Sequence, residues 1–474
     1  MDWFEDTAIF IFLIPTVVFI CVFLSYLKFK RLANPITFMT IWWGGWLFIA
    51  NLSLTGIYIP GVHTQSLIIL MLLAYTLGAL IVVKTNNKYK KNILFDKSIS
   101  ININFHKQFK SILNVSYPIL LIFVLPFFVK AIYLLRTSSA LELQSYRSKI
   151  FSTSDKASIL YGSSQVELFY VIFLYSLILL CLIISSIFLY VYGNRLYILL
   201  STFLNFCKSV MTLGRFELYF IFFFLVILGF LFNKKISDQL NSTLALLRIK
   251  SRAGKRLLFY LLFILAIILL SVAIISVVRI SSQGSKASYY EVFYDFIIWY
   301  HTCGFVLLDK QLEDPYSILS QNMTYGLSTF SSLERILFLI ITRFDKDFSG
   351  IFPLIGGKEQ LVLYLHEFMN DFQKIGSAPD RYANAFYTMV YDFYIDGREI
   401  GVFIFSFILG YITSLFYQDW IKNNNLYSLS WLLLFLYISL MSIFQSQFSS
   451  IPTWGFMLLL LLIQNYKYVF SKKI

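Results

Sequence analysis

Apolar runs long enough to cross a bilayer recur along the 474-residue chain, separated by short polar breaks. One helical crossing needs about 20 largely apolar residues. On that measure the pattern predicts eleven spans, at 8–27, 36–54, 65–83, 115–134, 166–192, 196–212, 216–232, 257–277, 400–417, 428–445 and 452–469. The ten-residue alternating segments of a lipid-facing β-barrel are not seen. The expected fold class is therefore all-α, a polytopic integral membrane protein with about eleven transmembrane helices. Asn34-Pro35 opens the second span, and Gly193-Asn194-Arg195 and Lys422-Asn423-Asn424-Asn425 read as tight turns. Thr212-Leu213-Gly214-Arg215 divides one long apolar run into a hairpin. Residues 84–113 read as a basic loop, partly an interfacial helix.

One stretch departs from this pattern. Residues 279–398 hold 14 of the 25 carboxylates, 10 Lys or Arg, and two of the four histidines. A connection of that length is too long to be unstructured in a compact protein. Tyr289–Leu308 and Leu333–Ile341 read as helices with aromatic and aliphatic faces, lying on or dipping into the membrane interface. The expected organisation is thus 1–278 with helices one to eight, 279–398 as one large loop carrying short helices, and 399–474 with helices nine to eleven.

Composition agrees with a membrane class: 58% of residues are hydrophobic and 14% charged, with a mean hydropathy of +0.72. Soluble domains carry roughly 25% charged residues. The net charge of +14 is unevenly distributed. On the topology above, one side has 22 Lys/Arg against 3 acids and the other 17 against 22. This is the positive-inside asymmetry of cytoplasmic loops, which points to orientation and away from nucleic acid. It puts the N-terminus and the large loop outside and the C-terminus in the cytoplasm. The acidic opening MDWFED does not read as the basic start of a signal peptide. Four scattered cysteines give neither a disulfide framework nor a metal-ligand spacing.

Candidate chemistry is concentrated in and beside the large loop. Arg215, at the hairpin tip, and Arg279, at the exit of the eighth span, fall at one expected membrane depth. Paired guanidinium forks at one level suit a diphosphate, although each also fits a helix-end anchor, Arg215 beside Glu217. Lys208 lies seven residues before Arg215 and shares its helical face if the helix continues. Arg136, Arg147 and Lys149 form a smaller basic group or a plain solvated loop. Arg335 and Arg343 are further anion ligands or internal partners of Glu334 and Asp345, and Arg398 adds a basic group in the closing segment. The candidate general bases are His301, His366, Asp392 and Asp396. Asp392 and Asp396 share a helical face before the ninth span, and capping that helix is an equal reading. Loop aromatics such as Trp299, Tyr300, Tyr387, Tyr391 and Tyr394 are candidates for stacking on sugars. Walker, dinucleotide, HExxH and GxSxG motifs are absent from the sequence, which argues against an energy-coupled pump.

Three features carry a resemblance: LGR at an outer hairpin tip, Arg at the exit of the span before a large outer loop, and NAFYTMVYDFYIDGREIGVFIF closing that loop. Together they resemble the Wzy-type O-antigen polymerases. The closing segment is similar to that family's N-x-x-x-T…D-x-G-x-x-G pattern, here Asn384, Thr388, Asp396, Gly397 and Gly401, with the last three spaced as D-G-x-x-x-G. The resemblance implies a glycosyltransferase of GT-C-like architecture in the bacterial inner membrane, working on its periplasmic side. It would move a growing glycan from undecaprenyl diphosphate to a new lipid-linked repeat unit. The implied partners are undecaprenyl-diphosphate-linked oligosaccharides, membrane lipids and a chain-length regulator protein; no metal, nucleotide or nucleic acid is implied. Two alternatives remain open at this stage: the ligase that moves finished polymer to a lipid-A core, and a lipid-linked oligosaccharide flippase. A flippase would spread charge along a central cavity, whereas here charge gathers in one outer loop.

Overall fold

Asn34 and Pro35 show how closely local chemistry sets these helices. Proline fits the first helical position, where its missing N–H costs nothing. The Asn34 carboxamide oxygen accepts the Thr37 N–H at 3.0 Å, capping the helix that begins at Pro35. Its amide nitrogen donates to Thr37 Oγ1, Ser25 Oγ and the Arg31 carbonyl, so one side chain ties the turn to both helices.

The computed structural model describes residues 3–54, 56–82, 103–137, 160–214, 217, 219–232, 295–344, 372–377, 381–384 and 387–470. The described residues are mostly helical, at 82%. In chain order the helices are α1 (Trp3–Phe29), α2 (Pro35–Asn51), α3 (Val62–Val82), α4 (Ile103–Thr137) and α5 (Ser164–Phe169). A π-helical turn, Tyr170–Leu174, joins α5 to α6 (Tyr175–Tyr192). Then come α7 (Leu196–Thr212) and α8 (Tyr219–Phe232). A second π-helical turn, Asp295–Trp299, leads into α9 (Tyr300–Glu313), followed by α10 (Ile318–Gln321) and α11 (Leu327–Phe344). The two-residue strands β1 (Gln373–Lys374) and β2 (Tyr382–Ala383) pair antiparallel before α12 (Met389–Asn423), α13 (Leu426–Met441) and α14 (Ile451–Phe470). Among the described residues, five helices are long and apolar enough to cross a membrane: Ile9–Phe29, Val62–Val82, Phe105–Thr137, Tyr170–Tyr192 and Met389–Asn423.

The chain forms two compact units that do not follow its linear order. One comprises residues 1–102 and 294–454, the other 103–293 and 455–474. In the first unit, α3 and α12 pack backbone to backbone. Gly78 lies on the Phe407 carbonyl and Gly410 on the Tyr75 carbonyl, so a Cβ at either position would collide. Small residues permit such approaches between apolar helices, where dispersion rather than water exclusion drives packing. The indoles of Trp42 and Trp43 donate to the Leu440 and Ser439 carbonyls at 3.0 and 2.7 Å. Those carbonyls belong to the last turn of α13, which has no intrahelical donors for them.

In the second unit α7 packs against both α4 and α6. The Tyr117 hydroxyl joins the three helices, lying 2.5 Å from Ser185 Oγ and 2.6 Å from Ser201 Oγ and donating to the Tyr197 carbonyl at 2.8 Å.

Several boundaries differ from the sequence expectation. The interfacial segment expected before the fourth span is continuous with it, because Phe105, Phe109, Leu113, Tyr117 and Leu120 make one buried stripe through the junction. The helix expected at 400–417 begins at Met389 and is broken at Gly397 and Arg398. The helix expected over Leu333–Ile341 runs from Leu327 to Phe344. The expected span at 257–277 lies outside the described residues, as do most of the loops at 84–113, 136–165 and 233–256.

Candidate functional site

The segment that closes the 295–398 region is built around a helix break. Gly397 has φ −168° and ψ 25°, and Arg398 has φ 56° and ψ −145°, so residues 389–396 form a short helix of their own ahead of 399–423. Gly401 lies against the Phe393 carbonyl, where a side chain would collide. The left-handed φ of Arg398 is costly for a residue with a Cβ. It is held by its guanidinium, which donates to the Leu319 carbonyl, to Ser320 O at 2.8 Å and to Asn322 O at 3.1 Å, and sits 5.2 Å from the Tyr394 ring centre. Those carbonyls end α10. Arg398 is thus occupied as a cap.

Asp396 caps a helix other than its own. Its carboxylate accepts the Ser328 N–H at 3.0 Å and the Thr329 N–H at 2.9 Å, the first unpaired donors of α11, and also the Thr324 hydroxyl. Anionic groups are favoured at that end by the helix dipole. Asp392, one turn earlier on the same face, accepts the Ser328 hydroxyl at 2.6 Å. Both carboxylates are 3% exposed. Of the two readings open for this pair, base or cap of the following span, the capping bonds of Asp396 run to α11 and not to that span.

His301 sits in an aromatic box. Its ring stacks on Trp46 at 3.9 Å and meets Trp42 at 5.3 Å and Phe444 at 4.4 Å edge-on. Nδ1 lies 2.5 Å from the Ile297 carbonyl, which fixes the tautomer with its proton there. Burial pushes the imidazole down to about 3, against the weaker pull of that hydrogen bond. It is a neutral ring at physiological pH.

The turn at 442–450 ties these features together. Phe444 touches His301, the Ser442 carbonyl accepts the Met389 N–H at 3.0 Å, and the Ser449 carbonyl accepts the Ser332 hydroxyl at 2.6 Å. Asp309, which sequence reasoning did not single out, caps α3 in the same way that Asp396 caps α11. It accepts the Gly61 N–H at 2.8 Å and the Thr64 hydroxyl at 2.6 Å, and burial raises its carboxyl above the usual range. A Gly followed three residues later by Thr at the head of α3 was the available signal, but its acceptor lies far away in sequence.

In the second unit, Lys208 is paired with Glu217 at 3.6 Å and lies 4.3 Å from the Tyr175 ring centre. Glu217 is the residue that the sequence set beside Arg215. Arg136 is exposed at the end of α4. Arg335 and Arg343 occupy positions on α11. Arg215, Arg279, Arg147 and His366 lie outside the described residues. The four cysteines are buried and unpaired. Among the described residues no group of three or more His, Cys, Asp or Glu side chains is placed to hold a metal ion.

Comparison with protein-family models, curated proteins and solved structures finds no match for this chain. The described region offers a fixed scaffold of capped helices, a neutral histidine walled by aromatic rings, and a buried carboxylate, Asp392, that accepts the Ser328 hydroxyl.

Proposed function

We propose that the protein is an O-antigen polymerase of the Wzy type, acting on the periplasmic side of the bacterial inner membrane. Its substrates are undecaprenyl-diphosphate-linked oligosaccharides. In the reaction, an acceptor hydroxyl oxygen bonds to the anomeric carbon of the growing glycan. The bond from that carbon to the diphosphate breaks, undecaprenyl diphosphate leaves with the electron pair, and the hydroxyl proton passes to a base in the large loop.

A diphosphate leaving group requires stabilisation of developing charge, which fixed guanidinium groups supply in a water-poor site. Arg215 and Arg279 are assigned that role on sequence grounds. Asp392 is the base in this reading. His301 is a weak base, lowered to about 3, with its face covered by Trp46. Asp396 has its oxygens committed to the α11 terminus.

The observation that carries the reading is the joint at residues 388–401, the stretch that bears the family-like pattern. Asp396 and Arg398 bind the ends of α11 and α10 and so fix them to the head of the long helix 399–423. Transfer between two large lipid-linked glycans depends on holding both in register, and a rigid joint of this kind serves that need.

The test is lipopolysaccharide banding in the source strain with the gene deleted, then restored as wild type, Arg215→Ala or Arg279→Ala. Core bearing a single repeat unit in the deletion, with the ladder restored only by wild type, is the expected result. Core without any repeat assigns the protein to ligation or flipping. A full ladder from both arginine variants at normal protein levels overturns the diphosphate site.

A further inference from the structure

Two turns far apart in sequence meet at one end of the first unit and gather cations there. α1 ends at Phe29, α2 begins at Pro35, and α12 ends at Asn423. The Phe29 ring meets Tyr417 of α12 edge-on at 5.3 Å, and the Tyr417 hydroxyl donates to the Ala33 carbonyl at 2.8 Å. The α1–α2 turn is thereby fastened to the end of α12. Both lie on the side that the charge asymmetry of the sequence assigns to the cytoplasm. The Arg31 side chain engages the same Tyr417 hydroxyl. Lys28 and Lys30 are exposed beside it, and Lys422 is exposed at the end of α12. Among the described residues of these turns the one carboxylate is Asp419. It accepts the side-chain amides of Asn423 and Asn425 at 2.6 and 2.9 Å and the Ser428 hydroxyl, so its bonds run to the α12–α13 turn.

An exposed apolar stripe leads up to these cations. Phe12, Phe19, Phe23 and Leu27 follow one another at spacings of seven, four and four residues, which is one face of a helix, and all four are exposed. Only 28% of the most apolar stretch of α1 is buried. Tyr26, half exposed, stands where the stripe ends. Tyrosine favours the headgroup level of a bilayer, so Lys28 and Lys30 project just beyond that level. Apolar stripe, tyrosine and cationic tip come in the same order as the acyl chains, glycerol and phosphate of a lipid. The helix dipole accounts for Lys28, in the last turn of α1. It does not account for Lys30, whose φ of 53° is a position that suits Gly or Asn better.

We infer that the end of α1, with Lys28, Lys30 and Arg31, is a binding site for an anionic phospholipid. The cations take its phosphate, and its acyl chains lie along Phe23 and Leu27. Lys422 adds to the positive field at the same end of the unit. A lipid held there steadies the α1–α2 turn against α12, at the opposite end of α12 from the joint at Gly397 and Arg398. The inference does not rest on the polymerase reading.

The experiment follows thermal unfolding of the purified full-length protein in detergent micelles against three probes. These are phosphatidylglycerol, phosphatidylcholine with the same acyl chains, and inorganic phosphate. Phosphatidylglycerol is expected to stabilise the wild type saturably, and the other two are not. Lys28→Gln/Lys30→Asn, with a residue suited to the left-handed position, should bind phosphatidylglycerol at least about tenfold more weakly, as expected for two cations removed from a lipid surface. Lys107→Gln/Lys110→Gln removes two equally exposed lysines from α4, in the other unit, and should keep near-wild-type affinity. Equal weakening by the two pairs would assign the effect to net charge and overturn the site. Equal stabilisation by phosphatidylcholine would leave the apolar stripe alone, and stabilisation by inorganic phosphate would leave a free-anion site; either outcome overturns the lipid assignment. No response to phosphatidylglycerol overturns it as well. Should Lys28→Gln/Lys30→Asn fail to fold, the wild-type response to phosphatidylglycerol must weaken as salt rises, and a response indifferent to salt sinks the inference.

Discussion

Asp309 accepts the hydroxyl of Thr64 at 2.6 Å, so a carboxylate of α9 caps the first turn of α3 from 245 residues away. Removing it leaves that hydroxyl and the Gly61 N–H unsatisfied in a buried site. Loss of an N-cap acceptor costs about 1–2 kcal/mol, and stranded buried donors add to it. Asp309→Ala is expected to lower the thermal unfolding temperature clearly, and Asp309→Asn, which keeps an acceptor, much less. Equal temperatures for the two variants would remove the capping role. Gly61→Ala should also destabilise, since its Cβ would stand 2.9 Å from Asp309 Oδ1.

The glycine contacts between α3 and α12 predict a position-specific response to a single methyl group. At Gly78 and Gly410 the added Cβ meets a backbone carbonyl, which cannot swing aside. Overpacking of this kind costs about 1–3 kcal/mol. Gly45 on α2 has nothing within 4 Å of an added Cβ, and there alanine should be neutral or gain up to about 1 kcal/mol from helix propensity. Detergent-solubilised Gly78→Ala, Gly410→Ala and Gly45→Ala proteins, compared by thermal unfolding, check the pattern.

His301 gives a pH dependence with a definite sign. Burial lowers its folded value from 6.5 to about 3. Between those values the unfolded chain binds a proton that the folded chain does not, so stability falls as pH drops below about 6.5. The slope for one such group approaches about 1.4 kcal/mol per pH unit. Unfolding measured from pH 7.5 to 5 should show this loss, and His301→Phe should flatten it. A slope that survives in the variant would assign the effect to other groups.

Asp392 and Asp396, four residues apart, are expected to separate by phenotype. Asp396→Ala removes the cap on α11, with a loss of about 1–2 kcal/mol by analogy with other caps, while polymer formed per folded molecule stays near wild type. Asp392→Asn keeps an acceptor for the Ser328 hydroxyl and should abolish polymer at normal protein levels, if Asp392 is the base proposed above. Ladder length against protein level in membranes distinguishes the two. The reverse pattern would move the base to Asp396.

Arg398 makes a related case. Its guanidinium serves the carbonyls of Leu319, Ser320 and Asn322 at once, a fork that lysine cannot reproduce. Arg398→Lys is expected to destabilise by about 1–3 kcal/mol. Arg398→Gly would relieve the left-handed backbone but lose the same bonds, so it should not rescue the loss. Unfolding of the two variants side by side provides the check.

Much of the helical skeleton was legible because its causes are local. The α7 boundaries at Leu196 and Thr212 follow from an apolar run ended by a Leu-Gly turn, and Asn34-Pro35 carries both the cap and the first residue of α2. The break at Gly397 and Arg398 was not legible, because a non-glycine residue at φ 56° reads as ordinary helix until its partners on α10 are known. The amphipathic start of α4 was cut short because its polar residues masked a buried stripe that runs on through them.

The sequence by itself determined a helical, membrane-embedded class and the place of most helices. Bilayer thickness and backbone hydrogen bonding act on each segment separately, and each apolar run answers them alone. Only the tertiary structure decided what the charged residues do. A helix end needs some acceptor or donor, but any group that packing brings near will serve. Asp309 therefore went to α3, Asp396 to α11 and Arg398 to α10.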